Sequence, residues 1–272
     1  MDNFYSQKET FEKLVDIWER KANKKLIDVL ILGFLAGAYI WFGWQVATVV
    51  ATGTSDLMWF WVTKMLMWWV FSIALMLVII DWAELFTGNH LMIKAKMKWR
   101  ISWNSMFKNW WIVYVTNFIW ALFVAILIYY AWLWTLSGDH LWITALKIAN
   151  DKVNIDFTAA FIRWILCNWL VCLAIYIAIS SKDIVWKIFG IFFPIMTFVA
   201  CSFEHSIANM FFIPMGLLLK NQTALVASSW LDLTNLTWYH FFYSNLLPVT
   251  LWNIIWWAVF VWFLYYLVNR KN

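Results

Sequence analysis

Twice in this chain a glutamate stands five residues ahead of an asparagine in apolar surroundings: Glu84 and Asn89 in ELFTGN, and Glu204 and Asn209 in EHSIAN. The second copy adds His205, a side chain that titrates near neutrality when unperturbed and offers a donor and an acceptor when neutral. A carboxylate or an imidazole in hydrocarbon is costly, so each must face a partner, a cavity or water. The chemistry open to these groups is hydrogen bonding, proton exchange and the handling of charge. Metal and covalent chemistry lack their parts. His90, His140, His205 and His240 show no HxxxH or HExxH spacing, and Cys167, Cys172 and Cys201 form no CxxC pair. The cysteines read as small apolar fillers, and no cofactor is implied.

The elements that must position these groups follow from composition. Of 272 residues, 64% are hydrophobic and 13% charged, against roughly 45–50% and about 25% in a typical soluble domain. Such a chain cannot cover itself with polar surface in water, so its solvent is lipid and its first partner a bilayer. Six apolar regions are long enough to span: about 29–50, 57–85, 110–136, 157–179, 184–219 and 246–268. The fifth is too long for one simple span and contains Pro194, Pro214 and the polar stretch FEHSIAN. No strand-like alternation runs through them, which excludes a β-barrel reading.

With six spans both termini share a side. That side collects the basic residues of 8–25, 94–108, 182–187 and 270–271, fifteen of the 20 lysines and arginines. The positive-inside rule makes it cytoplasmic. The net charge of +5 reflects this bias; no basic stripe with exposed aromatics suggests nucleic acid. Residues 1–28 read as an amphipathic cytoplasmic helix with Phe11, Leu14, Val15 and Trp18 on one face, not as a cleavable signal. Residues 29–269 form the membrane domain.

The two Glu-x4-Asn motifs are each followed, one span later, by Asn-x-x-Trp: Asn117 to Trp120 and Asn253 to Trp256. Three spans per half give the halves opposite orientation. Polar interruptions at matching positions of an inverted repeat point to a central permeation site, with half-helix N-termini offering partial positive charge. Glu84 and Glu204 read equally well as caps of half-helix N–H groups.

The stretch FEHSIANMFFIP (Phe203 to Pro214), with ELFTGN and CNWLVCLA (Cys167 to Ala174), closely resembles the formate/nitrite transporter family of pentameric anion channels, which includes hydrosulfide channels. The resemblance covers about residues 25–270. It implies an all-α integral membrane protein of six helices in an inverted 3+3 repeat, aquaporin-like, with the second and fifth helices interrupted. It implies a homopentamer in the cell's inner (plasma) membrane with one pore per protomer. His205 matches the central pore histidine and Thr87 the threonine that bonds toward it. Lys152 matches a lysine near the outer vestibule, and Asn168 and Glu204 match polar residues grouped around that lysine and histidine. Phe71, Leu75, Leu85, Phe86 and Phe198 match the apolar constrictions; from the residues alone they read as core. The expected solutes are small monovalent anions: formate, nitrite or hydrosulfide. Lys152 would draw them in, and His205 would lend a proton or offer N–H donors.

An aquaporin-type channel for neutral solutes would need paired Asn-Pro-Ala motifs, which the sequence lacks. A membrane enzyme would need a metal or nucleophile cluster. A proton-coupled monocarboxylate transporter remains open, since Glu204 and His205 are both able to carry a proton. The sequence departs from the family in its tryptophans. Trp44, Trp68, Trp69, Trp82, Trp120, Trp164, Trp252, Trp256 and Trp257 stand where the resemblance implies glycine. An indole there overpacks an unchanged backbone, at typically 1–3 kcal/mol per site. Either the helices stand farther apart or the sequence is altered from a natural member; the number of sites favours alteration. Asp81 is a second departure, facing water or paired with Arg163.

Overall fold

Ser6 begins the first helix, α1 (Gln7–Ala22). Its hydroxyl accepts from Glu9 N–H, and the Glu9 carboxylate accepts from Ser6 N–H in return. The computed structural model describes residues 3–248 and residue 250. The buried face of α1, with Leu14, Val15 and Trp18, joins the main core beside α7 (Ile93–Met97) and α10 (Phe157–Ser180).

Helix α2 (Leu26–Ala51) follows, then a single turn, α3 (Thr54–Leu57). Helices α4 (Phe60–Phe71) and α5 (Ile73–Ile80) form one apolar run bent at Ser72, whose hydroxyl donates to Trp68 O at 3.0 Å. After a non-helical stretch the chain resumes as α6 (Phe86–Asn89), a 3₁₀ turn (His90–Met92) and α7. Helix α8 (Trp103–Tyr130) starts where the Ser102 hydroxyl accepts from Ser105 N–H at 3.0 Å. Helix α9 (His140–Val153) leads into α10, capped by the Asp156 carboxylate. Helix α11 (Ile184–Ala200), capped by Asp183, is followed after another non-helical stretch by α12 (Ser206–Leu219). A short α13 (Thr223–Ser229) and a π-helical segment (His240–Leu246) complete the described chain.

Four helical runs, Leu26–Ala51, Phe60–Ile80, Trp103–Tyr130 and Phe157–Ser180, are long and apolar enough to cross a membrane, and α11 and α12 are shorter apolar helices. The third region, expected at 110–136, begins earlier at its serine cap and ends at Tyr130, where Trp132 turns left-handed with φ 56°. The long fifth region resolves into α11 and α12. The sixth, with Asn253, Trp252, Trp256 and Trp257, lies almost wholly outside the described residues. Asp81, left open between water and Arg163, accepts from the Tyr39 hydroxyl at 2.7 Å.

Two glycines permit close helix crossings. A Cβ on Gly43 of α2 would stand 2.6 Å from Ala74 Cβ of α5, and one on Gly216 of α12 would collide with Ala149 of α9. Gly43→Val and Gly216→Val should therefore each lower the melting temperature in detergent, by the equivalent of about 1–3 kcal/mol. Unchanged melting curves would mean that these helix pairs separate without loss.

Candidate functional site

The two non-helical stretches are built alike. At the first, Ala83 N–H returns to Val78 O at 3.0 Å and Trp82 adopts φ 58°. At the second, Phe203 N–H returns to Phe198 O at 3.0 Å and Ser202 adopts φ 54°. Both are left-handed helix terminations of the Schellman kind. The chain then runs extended through Leu85 and His205 before the next helix starts.

Extended backbone between buried helices must find partners for its N–H and C=O groups. At the first stretch Glu84 N–H donates to Leu32 O of α2 at 3.0 Å. Asn117 of α8, fully buried, does the rest: Phe86 N–H donates to its Oδ1 at 3.0 Å, and its Nδ2 donates to Glu84 O at 3.0 Å and Gly33 O at 2.9 Å. At the second stretch the imidazole of His205 acts as the cap of α12, its Nδ1 accepting from Ala208 N–H at 3.2 Å. With Nδ1 accepting, the neutral ring carries its proton on Nε2. That atom lies 3.1 Å from Thr87 Oγ1, in the first turn of α6. The histidine and threonine from the two stretches thus meet directly.

Apolar side chains enclose this contact. Phe198 stacks on His205 at 6.0 Å between centroids, and Phe71 meets Phe198 edge-on at 5.6 Å. Phe71, Leu75, Leu85, Phe86 and Phe198 are all buried, at 1–2% exposure. Phe86 packs instead on His90 and Tyr114, at 4.6 and 4.8 Å.

Each stretch also carries a charged station. Lys152, at the end of α9, donates to both carboxylate oxygens of Glu204 at 3.0 and 2.8 Å. Asn209 Nδ2 donates to Glu204 Oε2 at 2.9 Å and to Asn245 Oδ1 at 2.9 Å; Asn245 Nδ2 then donates to Lys152 O at 3.1 Å. The other station repeats this circuit. Asn89 Nδ2 donates to Glu84 Oε2 at 2.7 Å and to Asn109 Oδ1 at 2.9 Å, and Asn109 Nδ2 to Lys21 O at 3.5 Å. Lys24 and Lys21 stand 2.9 and 3.3 Å from Glu84 Oε1. Burial pushes the Lys21 ammonium below its usual range, and Glu84 opposes that shift. A cavity of about 100 Å³ opens beside this station, lined by Lys21, Trp82, Leu85 and Asn89.

A family model described as formate/nitrite transporter matches residues 8–267. The chain belongs to the formate/nitrite transporter family. It is 40% identical to a probable formate transporter of Methanothermobacter thermautotrophicus over 99% of both chains. It is 35% identical to the formate channel FocA of Haemophilus influenzae, over 86% of this chain and 84% of that one. Among solved structures, a pentameric formate channel with formate bound superposes with a TM-score of 0.83 at 33% identity, covering 90% of this chain and 98% of the other. An FNT family ion channel gives 0.82 at 27% identity, over 96% and 99%. The family is one of membrane channels and transporters rather than enzymes.

Of the residues singled out in the sequence, the structure joins His205 with Thr87 and Phe198, and Lys152 with Glu204. The two glutamates accept from lysines and from the asparagine of their own motif. Asn168 lies against His90, its Nδ2 3.0 Å from His90 Nδ1. His90 is also buried in an interrupted segment, one turn after Thr87. Lys21, Lys24, Asn109 and Asn245 escaped the sequence reading. The duplicated Glu-x4-Asn motif was their signal, since each copy needs an asparagine and a lysine from elsewhere.

Removing one member of a buried ion pair strands the other, at about 3–5 kcal/mol. Lys152→Met should lower detergent melting by an amount of that order, and Glu204→Gln added to it should recover most of the loss. Additive losses in the double variant would show that the two charges do not share one site.

Proposed function

We propose that the protein is a channel for formate, with nitrite and hydrosulfide as further small monovalent anions of the same size class, and that solutes pass the contact between Thr87 and His205. The observation that carries this reading is the 3.1 Å contact itself, made by side chains from two separate half-helices and enclosed by Phe71 and Phe198. Formate bound in the structurally similar pentameric formate channel supports the solute class. The matching contact circuits support an inverted repeat of six membrane helices with the second and fifth interrupted. We read α1 as the cytoplasmic N-terminal helix and residues 29–269 as the channel, assembled as a homopentamer in the inner membrane with both termini cytoplasmic.

In this reading the apolar side chains Phe71, Leu75, Leu85, Phe86 and Phe198 keep hydrated ions out, because a bare charge loses its hydration among them. Lys152 and Glu204, with Asn168 farther along, line the approach to His205. The imidazole serves as a neutral donor. Its Nδ1 is committed to Ala208 N–H, and protonating it would set two donors face to face. Nε2–H is then the group offered to a carboxylate or to Thr87.

Flux of formate, nitrite and hydrosulfide into liposomes tests this. His205→Phe removes both cap and donor and should abolish flux. His205→Asn keeps an acceptor for Ala208 N–H and a donor toward Thr87, and should retain measurable flux with little pH dependence. Equal loss in both variants would mean that titration of the imidazole, rather than donation, drives passage; undiminished flux in His205→Phe would remove the histidine from the path.

A further inference from the structure

Seven non-glycine residues in the described chain have positive φ, and four are tryptophans: Trp82 (58°), Trp99 (59°), Trp132 (56°) and Trp230 (56°). Left-handed backbone places Cβ against the carbonyl, so glycine, and less often asparagine or aspartate, occupies it; a bulky side chain there is an outlier. All four follow directly on a helix or its last turn. At Trp99, Arg100 N–H returns to Ala95 O at 3.0 Å, and at Trp82, Ala83 N–H returns to Val78 O at 3.0 Å. This is the position at which helices most often place glycine. The four indoles themselves are half or more exposed, from 50% at Trp82 to 94% at Trp230, so burial of the ring does not account for the choice.

A second, independent observation comes from the interior. The indole N–H groups of Trp18, Trp41, Trp44, Trp142 and Trp164 are buried without a hydrogen-bond partner. A buried tryptophan normally finds an acceptor for that group. Trp110 does: its Nε1 donates to Asn89 O at 2.8 Å. The chain thus holds a buried tryptophan whose N–H finds an acceptor and five buried tryptophans whose N–H finds none. Composition leans the same way, with 25 tryptophans against 8 glycines, although membrane helices carry more glycine than soluble ones.

We propose that these nine positions are glycine positions of the fold, and that the codons specifying them are decoded as glycine in the cell that makes the protein. Nine separate mutations, each to the same unfavourable residue and scattered over the chain, would each have been selected against. One cause acting on one codon produces them together. UGA is a stop in the standard code, tryptophan in some genetic codes and glycine in others. A gene that uses UGA for glycine, read as tryptophan, gives this one-way replacement and leaves tryptophans encoded by UGG intact. The decoding bears on the site proposed above. The Trp44 ring lies 4.1 Å from Phe71 and 4.7 Å from Phe212 between centroids, so glycine at 44 would free the Phe71 ring beside the Thr87–His205 contact.

The test is tandem mass spectrometry of peptides from the protein purified from the cells that encode it, with the gene's codons read alongside. Glycine masses at 82, 99, 132, 230, 18, 41, 44, 142 and 164, UGA at each, and tryptophan with UGG at 110 are expected. Tryptophan masses at the nine positions would overturn the decoding. Independently, recombinant chain carrying Trp82→Gly, Trp99→Gly, Trp132→Gly and Trp230→Gly should melt at a higher temperature in detergent than the all-tryptophan chain. An equal or lower melting temperature would overturn the assignment of these four as glycine positions. Neither readout depends on transport, so a failure of the formate reading leaves both outcomes interpretable.

Discussion

Backbone released from a helix inside a membrane has no water to bond, and each orphaned group there costs several kcal/mol. The rest of this structure depends on meeting that constraint at residues 81–85 and 201–205. Left-handed residues turn the N–H groups that follow them back onto carbonyls of the preceding helices. Asn117 serves three backbone groups at once. His205 supplies the cap that a serine or aspartate would supply in water. Because both solutions fix the start of the next helix, they also fix Thr87 and His205, which sit within the first turn of α6 and at the cap of α12. The contact between them is a consequence of how each break is closed.

The sequence made the breaks legible through polar residues in apolar runs, because such residues are costly enough in hydrocarbon to need a reason. It made the residues at their centre legible only through likeness to a family: nothing in the spacing of Phe71, Phe198 and His205 says that they meet. The partners at the charged stations were hidden for a different reason. Lys21 belongs to α1, whose charged and apolar alternation reads as a solvated surface helix. Only the fold turns its end inward, so that Lys21 lies beside Glu84 and its carbonyl receives Asn109. Asn168 shows the opposite limit. Only the family resemblance set it near Lys152 and His205; its side chain also bonds His90, a residue whose burial no local pattern announces.

The parallel between the stations extends the internal resemblance beyond the breaks. Lys21 at the end of α1 and Lys152 at the end of α9 each present a carbonyl to an asparagine and an ammonium to the glutamate of a break. Helix α1 exposes a polar face, while its end at Lys21 is buried against the first break. In contact terms α1 stands to the first break as α9 stands to the second. A segment that closes a carboxylate–lysine circuit is held by more than its apolar face, since loosening it would leave Glu84 buried with one cation fewer.

Charge bookkeeping then separates the two ends of the proposed passage. Glu204 is met at contact distance by one lysine, which it binds through both oxygens. That pair is neutral in sum, and its field falls off as a dipole's does. Glu84 is met by two lysines, and the station keeps one positive charge in excess when both are protonated. Burial lowers the proton affinity of Lys21 while Lys24, a quarter exposed, borders solvent. Of the two cations Lys24 is the more exposed, and salt screens it more. In the proposed passage an anion approaching along α1 would meet a net attraction while both lysines are protonated, whereas one approaching Lys152 would meet a charge already claimed by Glu204. For Lys152 to hold an anion it must share its protons with both, which its three N–H donors permit. The glutamate would then work against tight binding at the Lys152 end, and weak binding is what conduction requires of a site that must also release its ion.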